Sequence, residues 1–367
     1  ANLGLTVIFG SFVLMVLSTV ATTFGSRPEE QAKLILLMQY ILPMFGLVLG
    51  MMYEELRRNE HVVEKVMLLV IAALMPAQLL ASWAQWQMFL TPYLYLFSIY
   101  QHIQYVPVIV TSSYLVALFS LWSIRPWRML SIALAPLIGI YIAASSSMLA
   151  AVFLLIGSAT FAVHAMGAEK KRRRRINEWL IFALVSGAGT AYNIWASWTT
   201  KYIGVAGIAG AGPVGLYTQK VSDGALPNVQ LRVDTWLYYL HGIFSEPSTF
   251  MFGHSAPPDR QIWPSAHNYY LDLIYNYGVI GMLMIAGLIV FTLVRINQHR
   301  RLILISPAMV GLTIVVMFLL FPDNLLKVSM RQPYSGIMTF FLWGLLLARI
   351  ESLRTSDKRR QSVSGAP

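Results

Sequence analysis

Long apolar runs recur along this chain and constrain its fold more than any other feature. Ten runs come near the ~20 residues that an α-helix needs to cross the hydrocarbon of a bilayer. They cover residues 3–24, 34–53, 66–82, 105–122, 129–144, 148–166, 179–198, 269–294, 303–321 and 336–349. Only 12% of the residues are charged, about half the share of roughly 25% that is usual in soluble domains. The sequence therefore predicts an all-α polytopic membrane protein, a bundle of about ten transmembrane helices.

The positive charges predict how these spans are oriented. With a cytoplasmic N-terminus, the inside segments hold most of the 27 Lys and Arg residues, as the positive-inside rule requires. The basic run 170–175 is then a topology anchor on anionic head groups and not a contact for nucleic acid. Residues 1–198 form an N-terminal bundle of about seven spans, and residues 199–268 form one large extracytoplasmic loop. Residues 269–349 form about three C-terminal spans, and residues 350–367 form a solvated cytoplasmic tail.

The second half of the large loop carries a helical pattern. We expect a helix in PNVQLRVDTWLYYLHGIFSEP, with Asn228 as its N-cap and an end at Glu246, before a proline. Leu231, Trp236, Leu237 and Leu240 would share one stripe, which favours a helix on the membrane surface or against the spans. Arg232 and Trp236 lie four residues apart on one face. They are either a cation–π pair with a snorkelling arginine or part of a functional site.

The stretch PSAHNYYLDLIYNYGVIG, residues 264–281, opens the eighth span with polar groups. The helix should begin between residues 265 and 268, which places His267 at the water boundary. Asp272 lies inside the apolar run, and an acid at membrane depth is expected to face the bundle interior with a partner or a function. Gly278 and Gly281 allow close approach of neighbouring helices. This arrangement predicts a polar pocket just below the external surface.

These residues resemble the signature of the O-antigen ligase and Wzy-type polymerase superfamily. The signature is His, then Asn, Ser or Gln, nine residues, Gly, two residues, and Gly, Thr or Tyr; here these are His267, Asn268, Gly278 and Gly281. Arg232 and Trp236 look like the family's Arg-x-x-x-Trp, and the resemblance is most direct over residues 226–294. It implies a GT-C-like bundle in the bacterial inner membrane, with short helices in a large periplasmic loop and an active site that faces the periplasm.

The resemblance also implies a reaction, the transfer of a glycan from an undecaprenyl-diphosphate carrier to an acceptor sugar hydroxyl. The acceptor would be lipid A core for a ligase of lipopolysaccharide biosynthesis, or a growing glycan for an O-antigen or exopolysaccharide polymerase. Arg232 would hold the departing diphosphate, and His267 would accept the hydroxyl proton or contact the diphosphate itself. Asn268 would orient a substrate, and Asp272 would fix the histidine ring or bind acceptor sugar. His254 and His241 are weaker candidates, expected to be structural or solvent-facing.

The chain departs from the family at one position. Members commonly carry a Ser-Arg pair in a short external turn, whereas the corresponding turn here holds serines at 145–147 and no arginine. A second diphosphate contact would then come from Arg260, Lys220, Lys201 or Arg331. The loop acids show no Asp-x-Asp spacing, so we expect transfer without a metal or other cofactor. A polysaccharide or lipid transporter is the alternative from another class, since transporters build midplane sites from paired repeats and broken helices.

Overall fold

The computed structural model describes residues 2–23, 30–56, 61–84, 105–145, 147–167, 227–258 and 266–364. Helices account for the regular structure in these ranges. They are α1 (Asn2–Thr23), α2 (Glu30–Leu56), α3 (Val62–Ala84), α4 (Val106–Leu121), α5 (Arg125–Ala144), α6 (Met148–Gly167), α7 (Pro227–Ile243), α8 (Pro247–Phe252), α9 (Tyr269–Gln298), α10 (Arg300–Ile305), α11 (Pro307–Phe318), α12 (Asn324–Leu326) and α13 (Pro333–Ser364). A π-helical turn spans Leu319–Asp323 and a 3₁₀ turn spans Ser329–Arg331.

Seven helices within the described ranges are long and apolar enough to cross a membrane, so the protein is a multi-pass helical membrane protein. They match seven of the ten predicted spans: 3–24, 34–53, 66–82, 129–144, 269–294, 303–321 and 336–349. The predicted spans 105–122 and 148–166 correspond to the shorter apolar helices Val106–Leu121 and Met148–His164. The predicted span 179–198 lies outside the described residues. The C-terminal segment, expected to be a solvated tail, continues α13 as helix through Ser364.

The chain divides into two compact units that do not follow chain order. The first unit combines residues 1–57, 226–303 and 316–367, and the second combines residues 58–225 and 304–315. In the second unit α4 is buried along almost its whole length, as expected of a helix that is apolar on all sides. The Tyr114 hydroxyl of α4 donates to the Ser131 carbonyl of α5, at 2.9 Å.

In the first unit, α2 and α13 pack backbone to backbone. A Cβ at Gly46 or Gly50 would overlap the carbonyl oxygen of Ile337 or Phe341, and one at Gly344 would overlap that of Leu47. Small residues spaced four apart allow this approach in membranes, where dispersion contacts drive helix association. At the far end of the pair, Arg349 Nε donates to a Glu54 carboxylate oxygen at 3.1 Å, and both side chains are buried. This packing fixes α2, which contributes to the candidate site.

The helix α7 has slightly different bounds from its prediction. It begins at Pro227, one residue before the predicted cap Asn228, because proline is compatible with the first turn of a helix. It ends at Ile243, before the predicted end at Glu246, and Glu246 instead forms a capping box that begins α8. The buried face of α7 holds Thr235, Tyr239 and Ile243, while Leu237 and Leu240 of the predicted stripe are exposed.

Candidate functional site

The start of α9 is fixed by Asn268, which is the N-cap of the helix. Its side-chain oxygen accepts the backbone N–H groups of Tyr270 and Leu271 at 3.0 and 3.1 Å, which satisfies two donors that a helix start leaves without partners. His267 precedes the cap with a φ of 49°, a left-handed backbone that few residues other than glycine adopt. The half-buried imidazole is therefore placed by a specific turn, directly before the helix.

Helix α7 lies against this turn. The Trp236 indole N–H donates to the carbonyl of buried Ala266 at 2.8 Å, one residue before His267. Further along α7, Tyr239 packs its ring on Tyr275 of α9, with 4.8 Å between the ring centroids. Trp236 therefore ties α7 to the His267 turn, and Arg232 lies one helical turn before Trp236 on the same face.

Residues 319–331 form a series of short helical turns that contacts both Arg232 and the start of α9. We call it the polar connector; it contains the π turn, α12 and the 3₁₀ turn. Arg232 Nη1 donates to the Leu326 carbonyl at 3.0 Å, and the Tyr269 backbone N–H donates to the Lys327 carbonyl at 3.1 Å. Two neighbouring carbonyls thus hold the arginine of α7 and the residue that follows the His267–Asn268 pair. The structure brings Arg232, Trp236, His267 and Asn268 to one end of the first unit.

Asp272 faces the interior of the bundle, as predicted for an acid at membrane depth. Its Oδ2 accepts a hydrogen bond from the Tyr40 hydroxyl and pairs with Arg331 Nη1. Tyr40 is itself enclosed by Tyr269 and Tyr277, at ring-centroid distances of 5.4 and 5.7 Å. The contacts of this carboxylate run to α2 and the polar connector. They make Asp272 a buried, paired group, and its expected role in fixing the His267 ring or binding acceptor sugar stays a prediction.

Arg331 is the one candidate for the second cation that falls within the described residues; Arg260, Lys220 and Lys201 lie outside them. Arg331 is part of the 3₁₀ turn. It pairs with Asp272, which lies one helical turn after the Asn268 cap. Its guanidinium also lies over the Tyr40 ring, 6.0 Å from the centroid. Arg331 is therefore close to the start of α9, and the Asp272 carboxylate balances its positive charge.

A second buried pair, Asp323 with Lys327, was missed by the sequence analysis. Lys327 Nζ lies 3.7 Å from Asp323 Oδ1, and both side chains are buried. Burial lowers the pKa of the Lys327 ammonium, the Asp323 carboxylate raises it, and the charge of Arg232 lowers it further. Arg232 bonds to the carbonyl of Leu326, the residue directly before Lys327. The signal was an i,i+4 acid–base spacing in FPDNLLK, which the apolar-run scan treated as loop.

The motif glycine Gly278 breaks α9, which was not predicted. Its φ of 66° and ψ of −175° are not helical and belong to a region open essentially to glycine. A Cβ there would overlap the Met251 carbonyl oxygen, so the C-terminal end of α8 packs directly onto the break. The His254 N–H, in the turn after α8, donates at 2.9 Å to the Tyr275 carbonyl, an acceptor within the last turn before the break. The close approach expected at Gly278 is made by the end of the short helix α8.

His254 and His241 have different surroundings. His254 stacks on the Tyr275 ring with 4.0 Å between centroids, and its carbonyl accepts from Lys33 Nζ at 2.7 Å. Burial lowers the pKa of His254, a hydrogen bond with the Gly242 backbone raises it, and the Lys33 charge lowers it. His241 is exposed on α7. His254 therefore has a structural position, and His241 offers a matched control for His267.

Within the ranges that the structure describes, His, Asp and Glu form no group of three that could hold a metal ion. No family model, curated protein or solved structure matches this chain. The functional interpretation therefore rests on the residues and their geometry.

Proposed function

We propose that the protein is a glycosyltransferase of the inner membrane that moves a glycan from a polyprenyl-diphosphate carrier to a sugar hydroxyl at the periplasmic face. The observation that carries this proposal is the convergence of Arg232 and the His267 turn on the adjacent carbonyls of Leu326 and Lys327. A proton acceptor and a diphosphate ligand must lie close together for such a transfer, because the bond to the leaving group breaks as the hydroxyl attacks.

Arg232 has the chemistry to hold the leaving group. A guanidinium presents planar N–H donors that match phosphate oxygens, and it remains charged at any physiological pH. A bond to a neutral carbonyl orients this group without cancelling its charge. Lys327, the residue after Leu326, is paired with Asp323, so we assign the diphosphate contact to Arg232 alone. Negative charge that develops on a departing diphosphate would be stabilised there.

His267 would be the proton acceptor. An imidazole accepts a proton near neutral pH, and the left-handed backbone before the Asn268 cap fixes its direction of approach. The Asp272–Arg331 pair and the Tyr269–Lys327 bond hold this end of α9 to the polar connector. In the reaction the acceptor oxygen bonds to the anomeric carbon, the carbon–oxygen bond to the diphosphate breaks, and the hydroxyl proton passes to His267.

A deletion of the gene, with complementation by variants, tests the proposal on lipopolysaccharide and surface-polysaccharide gels. His267→Ala and Arg232→Ala should each reproduce the deletion at normal membrane abundance. His241→Ala, which changes an exposed histidine on α7, should restore the wild-type product. Arg232→Lys keeps the charge but loses the planar fork, so partial activity is expected. Normal product from both alanine variants would overturn the assignment.

The same gel separates a ligase from a polymerase. Loss of a ligase leaves full-length polymer on the lipid carrier and bare core on the cell. Loss of a polymerase leaves core with at most one repeat unit. We propose the ligase-like reaction on the form of the His267–Gly281 motif, and the polymerase is the alternative that uses the same site.

A transporter of lipid-linked glycan is the second candidate, and the broken helices favour it. Chain interruptions at Gly278 and in the polar connector, the latter with buried ion pairs, are features that transporters use to build their sites. A transporter would move labelled lipid-linked glycan across proteoliposomes without forming a new glycosidic bond. Formation of a glycosidic bond by the purified protein would support the transferase and contradict the transporter.

A further inference from the structure

Helix α7 has a continuous apolar ridge on its exposed side. The ridge consists of Val233, Leu237, Leu240 and Phe244, which are 40%, 59%, 37% and 66% exposed. Their spacing of four, three and four residues places them in one line along the helix. The opposite face holds Thr235, Tyr239 and Ile243, which are buried in the first unit. The ridge is thus not the surface by which α7 packs on α9.

The ridge continues onto α8. Phe244 stacks on Phe250 at 5.5 Å between ring centroids, with 22° between the ring planes. Phe250 and the adjacent Met251 are 36% and 41% exposed. The Phe244–Phe250 stack bridges the turn between the two helices. We call this surface, from Val233 to Met251, the elbow ridge.

A contact with α1 indicates what covers the elbow ridge. The Ser18 hydroxyl donates to the Phe252 carbonyl, so the end of α8 lies directly against a membrane span. On α1, Leu17 and Val20 flank this contact and are 53% and 51% exposed. The exposed apolar side chains of a span face lipid. The elbow ridge is therefore adjacent to a lipid-facing surface at its α8 end.

The composition of α7 excludes a spanning role and fits an interfacial one. The helix has 17 residues, includes Arg232 and Asp234, and is not among the candidate spans. His241 is exposed beside the ridge. A short helix with an apolar face and a polar flank lies in the plane of the membrane surface.

We propose that α7 and α8 form a membrane-seated elbow whose ridge is buried in the acyl chains of the leaflet around the start of α9. Val233 would lie at the hydrocarbon boundary, and the polar flank with His241 would lie at the level of the lipid head groups. This inference concerns a lipid surface and holds whether or not the protein transfers glycans.

The protein contains no cysteine, which allows a direct depth measurement on the full chain. Leu237→Cys and Phe244→Cys place a nitroxide label on the ridge, and His241→Cys places one on the polar flank. The labelled proteins are reconstituted in vesicles of phosphatidylcholine and phosphatidylglycerol. Accessibility is measured by electron paramagnetic resonance with oxygen, which concentrates in lipid, and with a water-soluble nickel chelate.

Ridge labels should respond to oxygen and not to nickel, at a depth of about 5–10 Å below the head groups. The His241 label should respond to nickel. Leu240→Cys repeats the measurement at a third ridge position in case one label perturbs the helix. Nickel accessibility at the ridge equal to that at His241 would overturn the proposal. So would ridge labels closed to both reagents with spin–spin broadening, since a second copy of the chain would then cover the ridge.

Discussion

The two parts of α9 on either side of Gly278 are built differently. Before the break, Tyr269, Asp272, Tyr275, Asn276 and Tyr277 are buried, and the Asp272 carboxylate is held by α2 and the polar connector. After the break, apolar side chains such as Leu283, Val290 and Val294 are exposed on the outer side of the helix, and Thr292 is the buried polar residue of that part. One continuous helix by sequence is thus a protein-enclosed polar segment followed by a lipid-facing one.

The difference shows which part of α9 depends on particular contacts with the rest of the protein. In hydrocarbon a polar side chain is tolerated when protein groups satisfy it, so the first part of α9 can only form after α2 and the polar connector are in place. The second part needs little beyond an apolar surface and a few packing contacts. Substitutions should therefore act strongly before Gly278 and weakly after it.

The largest effect is expected at the break itself. Gly278→Val combines a backbone that only glycine adopts with overlap onto the Met251 carbonyl, and should lower the free energy of unfolding by about 4 kcal/mol or more. The matched control is Gly287→Ala, where an added Cβ meets nothing within 4 Å and helix propensity predicts a gain of about 0.5–1 kcal/mol. Thermal unfolding in detergent measures both. Equal stability of the two variants would show that α9 is not broken.

The second largest loss of stability is expected at the buried Asp272–Arg331 pair. Asp272→Ala leaves the Arg331 guanidinium and the Tyr40 hydroxyl without their shared acceptor, and should cost about 3 kcal/mol. Arg331→Met combined with Asp272→Leu removes both charges and should recover a large part of that loss, because only the neutral Tyr40 hydroxyl then lacks its acceptor. Equal losses in the single and double variants would show that the pair is not coupled.

A single hydrogen bond in the second part should matter less. The Trp343 indole N–H donates to the Thr292 hydroxyl at 2.7 Å, so Thr292→Val removes one acceptor and keeps the shape. We expect a loss of about 0.6–1.7 kcal/mol, the range for such bonds within membranes. Thr292→Ser keeps the hydroxyl and is the control. A loss as large as that of Asp272→Ala would erase the contrast between the two parts.

The free energy of unfolding should depend on pH through His254, which lies in the turn after α8. Burial holds the pKa of His254 below its ordinary value, so protonation favours the unfolded chain. The stability that the neutral ring provides is fully present above about pH 6.5, the ordinary value, and is lost as pH falls through the lower folded value. Unfolding temperatures of the wild type should fall more steeply below pH 6.5 than those of His254→Gln. Parallel pH profiles would contradict this.

The smallest effect is expected on the lipid-facing side. Val290 is 59% exposed, and Val290→Leu exchanges one apolar surface for another, so the change should stay within about 0.5 kcal/mol. Detergent unfolding beside the Thr292 variants measures it. A loss above 1 kcal/mol would mean that this side of α9 is covered by protein.

The elements of the fold were largely predictable, and their contacts were not. Apolar runs located the spans because a bilayer demands length and hydrophobicity and little else. The stripe on α7 left open whether it faces the membrane surface or the spans, and the structure shows Leu237 and Leu240 exposed while Thr235 and Tyr239 are buried. Counting apolar residues selects the face that suits lipid as readily as the face that suits protein. The Asp323–Lys327 pair was missed for a related reason, because an apolar run ends where such residues begin.

By itself the sequence determined a helical membrane protein, the approximate start of α9 and the inward-facing position of Asp272, because these follow from hydropathy. The tertiary structure alone decided that Asn268 caps α9, that Arg232 reaches the Leu326 carbonyl, 94 residues away, that Asp272 pairs with Arg331, and that Gly278 admits the end of α8. These contacts join parts of the chain whose local patterns are independent, and only packing in three dimensions sets which of them meet.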